Sequence, residues 1–267
     1  MTEGEAWARE RLRELRTDGY RARAWLRFLA SSFERTRRQR RREHRQVLLV
    51  GATGLAVWAA VLSLRPWLAL AGALWWLLAI AMLDWHLGML EDEHGWPLDR
   101  LGLSNLLSLA RAAVVPVLPV ASPMLLAAIL IPAGLTDGID GPLARRRQEE
   151  TRLGLWLDGA ADTLALSAAA VGAARHGLVP WWAATLVLGR QALPWLAVTL
   201  AYFIHAAPPS RAGFVSGKPA GLLLFTGLVL SALRLPAAVP LVVLGALGGL
   251  ATLTATLVRA RQLRPAA

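Results

Sequence analysis

Long unbroken apolar runs dominate this chain, and turn residues separate them. Eight runs reach or approach the ~20 residues needed to cross a hydrocarbon core: residues 47–64, 67–83, 101–120, 122–135, 153–171, 181–203, 221–233 and 239–258. The fourth is long enough only if its helix continues past the membrane edge through 137–147, and the seventh is short as well. Arg65-Pro66, Ser122-Pro123, the stretch from His176 to Pro180 and Leu235-Pro236 fall between runs, where tight connections are expected. Residues 1–46 are different. Trp7, Leu12, Leu15, Trp25, Leu26, Phe28 and Leu29 are set singly among arginines, which predicts a basic amphipathic helical extension. The expected fold is an all-α polytopic membrane protein. Its three stretches are the extension 1–46, two spans with an acidic loop over 47–100, and six spans over 101–267.

Composition agrees with a bilayer location. The chain is 55% hydrophobic with a mean hydropathy of +0.44, too apolar for an ordinary water-soluble domain. Twelve Trp against two Tyr fit a protein with many lipid-water interfaces. Trp75-Trp76 and Trp181-Trp182 are either interface anchors or helix-packing residues. The absence of cysteine excludes disulfides, thiolate catalysis and Cys-ligated zinc.

Charge sets the orientation. Residues 1–46 carry 14 Arg and seven acidic residues and no apolar run, so they do not read as a cleavable secretory signal. With eight spans and the N-terminus inside, 24 of the 29 Lys and Arg fall on the cytoplasmic side. The expected location is therefore the cytoplasmic membrane, with both termini inside. The net charge of +11 follows mostly from this topology and also favours anionic lipid. Nothing beside the charge points to nucleic acid.

Chemistry concentrates at the fourth and fifth runs, in Leu135-Thr-Asp137-Gly-Ile-Asp140-Gly141-Pro-Leu-Ala144-Arg145 and, eight residues on, Gly154-Leu-Trp-Leu-Asp158-Gly-Ala-Ala-Asp162. Four carboxylates at the ends of apolar helices are costly unless something neutralises them, so function is the default reading. Asp137 and Asp140 are three apart, and Gly154, Asp158 and Asp162 are four apart, so each set shares one helix face. A tight turn would bring the two faces together. Oxygen ligands in that number suit Mg²⁺ or Mn²⁺, and a pair of ions bridged by carboxylates suits displacement at phosphorus. Gly141, Ala144 and Gly154 leave room for a bulky group beside the backbone. Arg145 can pair with a phosphate or brace a carboxylate.

The pattern D-x2-D-G-x2-A-R-x8-G-x3-D-x3-D is matched at all eight fixed positions over 26 residues, and it resembles the signature of the CDP-alcohol phosphatidyltransferase family. Upstream, Ser104-Asn105-Leu-Leu-Ser108-Leu-Ala-Arg111, followed by Pro116, is similar to the first helix of that family. Ser104 and Ser108 stand where the family usually has Pro and Thr. The likeness covers about 101–260 and implies a six-helix core, a homodimer and a site facing the cytoplasm. It also implies that Asp137, Asp140, Asp158 and Asp162 hold two metal ions, Asp162 doubling as proton acceptor. Asn105, Ser108, Gly141, Ala144, Arg145, Thr151 and Gly154 would lie against the CDP part of the donor. The reaction implied is attack by an acceptor hydroxyl on the lipid-bearing phosphorus of CDP-diacylglycerol, releasing CMP.

Arg111 and Arg190 lie within spans, and Arg211 and Lys218 in a cytoplasmic loop. Together they are candidates for an acceptor phosphate, which favours glycerol 3-phosphate or inositol phosphate. Arg211 and Lys218 also suit ordinary positive-inside loop positions, and the spanning arginines suit structural pairing. His86 and His94 flank Glu91, Asp92 and Glu93, but their spacing matches metal-ligand patterns poorly, and a solvated loop accounts for them. Two rival readings are a cation or proton transporter and a catalytically silent scaffold. A conduction path would place polar residues at several depths, whereas these acids cluster at helix ends on one side; a scaffold would be expected to lack an aspartate, and all four are present.

Overall fold

The structure is a computed structural model that describes residues 3–92, 94–147, 149–205 and 217–262, with the side chains at 3–5, 140–143, 145, 205 and 257–262 outside that description. Among the described residues its regular structure is all helical, apart from one isolated bridge between Glu91 and Pro97. The helices are α1 (Glu3–Thr17), α2 (Ala22–Gln39), α3 (Arg41–Val61), α4 (Pro66–Trp85), α5 (Gly102–Val114), α6 (Pro123–Arg147), α7 (Arg152–Arg175), α8 (Trp181–His205), α9 (Lys218–Ala232) and α10 (Ala238–Gln262). Each of the eight apolar runs corresponds to one helix from α3 to α10. Among the described residues, five spans meet both length and apolarity for crossing a membrane: 41–61, 66–85, 102–120, 181–204 and 238–256. Pro123–Ile139 and Lys218–Ala232 are apolar but shorter. The fourth run does continue unbroken beyond its apolar end, since α6 extends through Asp137 to Arg147. The chain is thus a multi-pass membrane protein.

Two compact units share these helices. The first comprises Met1–Val117 and Leu135–Asp162, and the second comprises Leu118–Gly134, Thr163–Ile204 and the α9–α10 pair. Boundaries fall after α5, at residues 117 and 118, and inside α6 and α7.

In the first unit, α3 and α4 pack through tryptophan against glycine. Trp76 covers Gly54 and Trp58 covers Gly72 so closely that a Cβ at either glycine would collide with the indole ring. Trp76 also donates Nε1–H to the Gly51 carbonyl at 2.9 Å and is 3% exposed. Lipid tails are as apolar as leucine, so close van der Waals fit and hydrogen bonds of this kind hold spanning helices together. Of the two Trp pairs, this residue is a packing residue, and Trp75 joins α4 to α5 by donating to the Ala112 carbonyl at 2.8 Å. Trp181 and Trp182 are each 57% exposed at the start of α8.

The basic extension is folded against the end of α4. Trp85 donates Nε1–H to Ser32 Oγ at 2.8 Å, Thr36 Oγ1 donates to the Trp85 carbonyl at 3.3 Å, and Phe33 stacks on the Trp85 ring. The buried Arg40 breaks α2 from α3 and donates to the Leu90 and Leu98 carbonyls at 3.0 and 3.3 Å. In this way the α2–α3 junction holds the 87–100 loop. Gln46 extends the hold, donating to the Asp99 carbonyl and accepting from Leu101 N–H, each at 3.0 Å.

In the second unit, α9 and α10 form an antiparallel hairpin whose helices touch backbone to backbone. A Cβ at Gly245 or Gly227 would meet main-chain atoms of Leu224 or Val242. Trp195 Nε1 donates to Thr163 Oγ1 at 2.9 Å, and His176 Nε2 lies 2.9 Å from the Ala121 carbonyl.

Candidate active site

α6 and α7 are joined by a connector of four residues, 148–151, short enough to keep their ends adjacent. Thr151 is the N-cap of α7, and its Oγ1 accepts from Gly154 N–H at 2.9 Å, satisfying one of the orphan amides of the first turn. From that start, Asp158 and Asp162 follow two and three turns into the helix, on the Gly154 face. Asp137 comes from α6. One carboxylate oxygen from each of Asp137, Asp158 and Asp162 lies within 4.8 Å of the others, and this is the group of possible metal ligands found among the described residues.

A cation sits in the middle of the group. Arg111, on α5, is 5% exposed and makes ion pairs with Asp137 at 2.8 Å, with Asp162 at 3.3 Å and with Asp158. Its Nη2 also donates to Ser108 Oγ at 3.2 Å, and that hydroxyl lies 3.3 Å from Asp158. The carboxylates are 38–50% exposed. Arg111 therefore braces the cluster from the buried side while the carboxylates remain open to solvent. Three carboxylates and one guanidinium leave a formal charge of −2 among these four groups. That charge, together with oxygen-only donors held close together, fits a hard divalent cation.

The other expected site residues are distributed as follows. Asn105 is buried, donates to the Leu101 carbonyl and presses its Oδ1 toward Gly154, where a Cβ would stand only 2.7 Å away. The space beside Gly154 is thus taken by a side chain of the protein itself. Ala144 is buried, and its carbonyl accepts from Glu149 N–H at 2.9 Å. Asp140, Gly141 and Arg145 belong to the helical backbone of α6, but their side chains lie outside the described residues. Arg211 is also outside the described residues.

Arg190 and Lys218 belong to the second unit. Arg190 projects from α8 against α10, so close to Gly249 that no Cβ would fit there, and donates Nη1–H to Gln191 at 2.6 Å. Arg190 Nε and the Gln191 amide nitrogen are buried without a hydrogen-bond partner among the described residues. Lys218 is exposed at the first turn of α9. His86 Nδ1 lies 2.7 Å from the Met82 carbonyl, and His94 lies near Asp92, so neither joins the acidic cluster.

Sequence reasoning missed how the connector is held. Glu149, 7% exposed, takes Arg100 at 2.9 Å and accepts from Leu103 N–H at 3.3 Å in the first turn of α5, where a carboxylate complements the helix dipole. It also crowds Gly102, whose φ of +71° is a conformation that suits glycine. On the next turn, Arg152 N–H donates to the Glu91 carbonyl at 3.0 Å, and its guanidinium pairs with the Glu91 carboxylate at 3.3 Å. The available signal was a pair of glutamates, Glu149-Glu150, inside a strongly basic stretch.

Comparison with known proteins decides the family. The profile of the family described as CDP-alcohol phosphatidyltransferase matches residues 101–259, more than half of the chain. The chain belongs to the CDP-alcohol phosphatidyltransferase family. Residues 1–100, with α1 to α4, lie outside the matched region. A CMP-forming cardiolipin synthase of Streptomyces coelicolor is 32% identical over 131 residues, 45% of this chain and 60% of that protein. A Mycobacterium tuberculosis protein named a probable phosphatidylglycerophosphate synthase is 33% identical over 99 residues, 33% of this chain and 47% of that protein. A CDP-diacylglycerol--glycerol-3-phosphate 3-phosphatidyltransferase of Yersinia enterocolitica is 36% identical over 99 residues, 33% of this chain and 54% of that protein. The chain thus spans about half the length of the curated relatives it matches. No solved structure matches it. Within this phosphatidyltransferase family member, Asp137, Asp158, Asp162, Arg111, Ser108 and Asn105 all fall inside the matched region.

Proposed function

We propose that the chain is a phosphatidyltransferase that moves the phosphatidyl group of CDP-diacylglycerol to a hydroxyl of a polar acceptor and releases CMP. The observation that carries this reading is the convergence of Asp137, Asp158 and Asp162 within one volume, on the family's motif. The acceptor oxygen attacks the lipid-bearing phosphorus, the bond to CMP breaks, and the hydroxyl proton passes to the Asp162 carboxylate. Asp137, Asp140, Asp158 and Asp162 would hold two Mg²⁺ or Mn²⁺ ions. When bound, these supply positive charge that offsets the pyrophosphate and the departing CMP. The chain's own residues prepare the site: Arg111 counters the mutual repulsion of three carboxylates, and Ser108 fixes Asp158 and the Arg111 fork together. Asn105, Ser108, Gly141, Ala144, Arg145 and Thr151 line the nucleotide side in this reading, with Gly154 behind Asn105.

Glycerol 3-phosphate or inositol phosphate is the favoured acceptor. The support is the charge of Arg190, an arginine within a spanning helix, which suits a phosphate-bearing acceptor. Arg211 and Lys218 would add to that attraction. A relative's name favours a second acceptor, phosphatidylglycerol, since the Streptomyces coelicolor protein is a cardiolipin synthase. The enzyme is expected to act as a homodimer in the cytoplasmic membrane, with the aspartates and both termini on the cytoplasmic side.

The test is CMP release from CDP-diacylglycerol by the purified chain with Mg²⁺ or Mn²⁺. Glycerol 3-phosphate, inositol phosphate, inositol, serine and phosphatidylglycerol are offered in turn, beside Asp162→Asn. The expected result is metal-dependent release with a phosphorylated polyol and none from the variant. Release only with phosphatidylglycerol would select the second acceptor, and silence across the panel from folded protein would refute the transferase reading.

A further inference from the structure

The α2–α3 junction carries a second concentration of charge, remote in sequence from the motif. Arg37 and Arg38 end α2, and Arg41 and Arg45 open α3; with Phe33 and His44 they line an open groove of about 630 Å³. The break at Arg40 directs arginines from two helices onto this one groove. Glu34, also in the lining, is engaged by Arg38 at 2.5 Å, and His44 by Asp84 at 2.5 Å. Arg37, Arg41 and Arg45 are exposed, and their side chains have no ion pair or hydrogen bond among the described residues. Three guanidinium groups therefore face one concavity without a counter-charge.

We propose that this groove binds the phosphate of an anionic phospholipid headgroup. Depth is the first argument. The apolar part of α3 begins at Val47. At ~1.5 Å per residue, Arg45 lies about 3 Å and Arg41 about 9 Å outside it. The polar layer of one leaflet is roughly 5–7 Å thick, so Arg45 falls within it and Arg41 just beyond it, within reach of a long side chain, and the groove opens at the level of the lipid phosphates. Aromatic framing is the second. Phe33, 38% exposed, lines the groove and stacks on Trp85 with centroids 5.8 Å apart and interplanar angle 8°, so an apolar aromatic wall backed by an interface-favouring indole stands beside the arginines. The third is rigidity. The Trp85–Ser32 and Thr36–Trp85 hydrogen bonds and the buried Arg40 fix α2 against α4 and the loop, so the guanidinium groups are gathered before a ligand arrives. Guanidinium forks match phosphate oxygens, and clustered basic residues beside a span favour anionic lipid. This site is independent of the transferase reading.

The full chain is embedded in phosphatidylcholine nanodiscs doped with phosphatidic acid, which is neither donor nor acceptor in the proposed reaction, and retained lipid is counted by native mass spectrometry. The native chain is expected to keep one phosphatidic acid in preference to phosphatidylcholine. Arg37→Gln/Arg41→Gln/Arg45→Gln should weaken that retention roughly a hundredfold, three arginines at about fivefold each. Arg13→Gln/Arg21→Gln/Arg23→Gln removes equal charge from exposed positions of the same extension and should retain the lipid. Equal loss in both variants would show diffuse attraction and overturn the site. A native chain with no preference overturns it without recourse to any variant. Displacement of the lipid by millimolar inorganic phosphate would also overturn it, in favour of a free phosphate.

Discussion

At the scale of single residues, Arg111 is the position where structure adds most. A buried guanidinium within a span needs partners, and it has three carboxylates on two other helices. Replacing it by Gln leaves those carboxylates to repel one another. Because water reaches them, the expected destabilisation is roughly 2 kcal/mol, below the ~3–5 of a fully buried pair. Thermal unfolding in detergent should show this loss, and saturating Mg²⁺ should recover much of it, since a divalent ion replaces the missing charge. A variant whose Tm stays at the native value without metal would remove the bracing role. Thr151 makes a smaller, local contribution. Losing its cap to Gly154 should cost about 1 kcal/mol in Thr151→Ala, with Ser in its place restoring stability.

At the scale of elements, the connector between α6 and α7 is the part on which the aspartate geometry depends. The loop of residues 87–100 holds it through Glu91 and Arg100, and the α2–α3 junction holds that loop through Arg40 and Gln46. The region outside the matched family residues thereby reaches the motif by hydrogen bonds rather than by adding a catalytic group. Glu149→Ala removes the carboxylate shared by Arg100 and the first turn of α5 and should cost roughly 1–2 kcal/mol of local stability. The expected signature is faster tryptic cleavage at Arg147 and Arg152, which flank the connector, with a lower rate of CMP release at unchanged metal affinity. Cleavage no faster than in the native chain would show that the connector holds without Glu149. Glycine marks the helix pairings in the same way: Gly54→Leu forces Trp76 out of its place on α3 and should separate the α3–α4 pair, read as loss of monodisperse protein in detergent.

At the scale of the whole molecule, orientation and metal dependence are the testable properties. The chain has no cysteine, so single cysteines introduced in turn report sidedness without further engineering. Gln39→Cys should be blocked only by a reagent on the cytoplasmic side, and His176→Cys only from the opposite side; the reverse pattern would invert the charge-based orientation. Chelation should abolish CMP release, and Mg²⁺ or Mn²⁺ should restore it. Metal bound to the folded state alone should also raise stability by about 2.7 kcal/mol at a hundred times its dissociation constant. Activity that survives exhaustive chelation would contradict a metal-dependent transferase.

The sequence by itself determined the helices and the helix faces on which the aspartates lie, because both are local properties. Apolar length decides whether a segment can cross a bilayer, and three- and four-residue spacing decides which side chains share a face, so the helices α3 to α10, five of them long and apolar enough to span among the described residues, and the Asp158–Asp162 face were legible before any fold. Proline and glycine marked the turns for the same reason. Tertiary structure alone decided which groups complete the site. Arg111 meets Asp137 and Asp158 across 26 and 47 positions, and Arg40 meets Leu90 across 50. Such partners are chosen by which helices pack together. Packing likewise assigned Asn105 to cover Gly154 and gathered arginines from two helices into one groove. A basic run in sequence gives only its total charge; the break at Arg40 and the anchoring of α2 on Trp85 give that charge a shape.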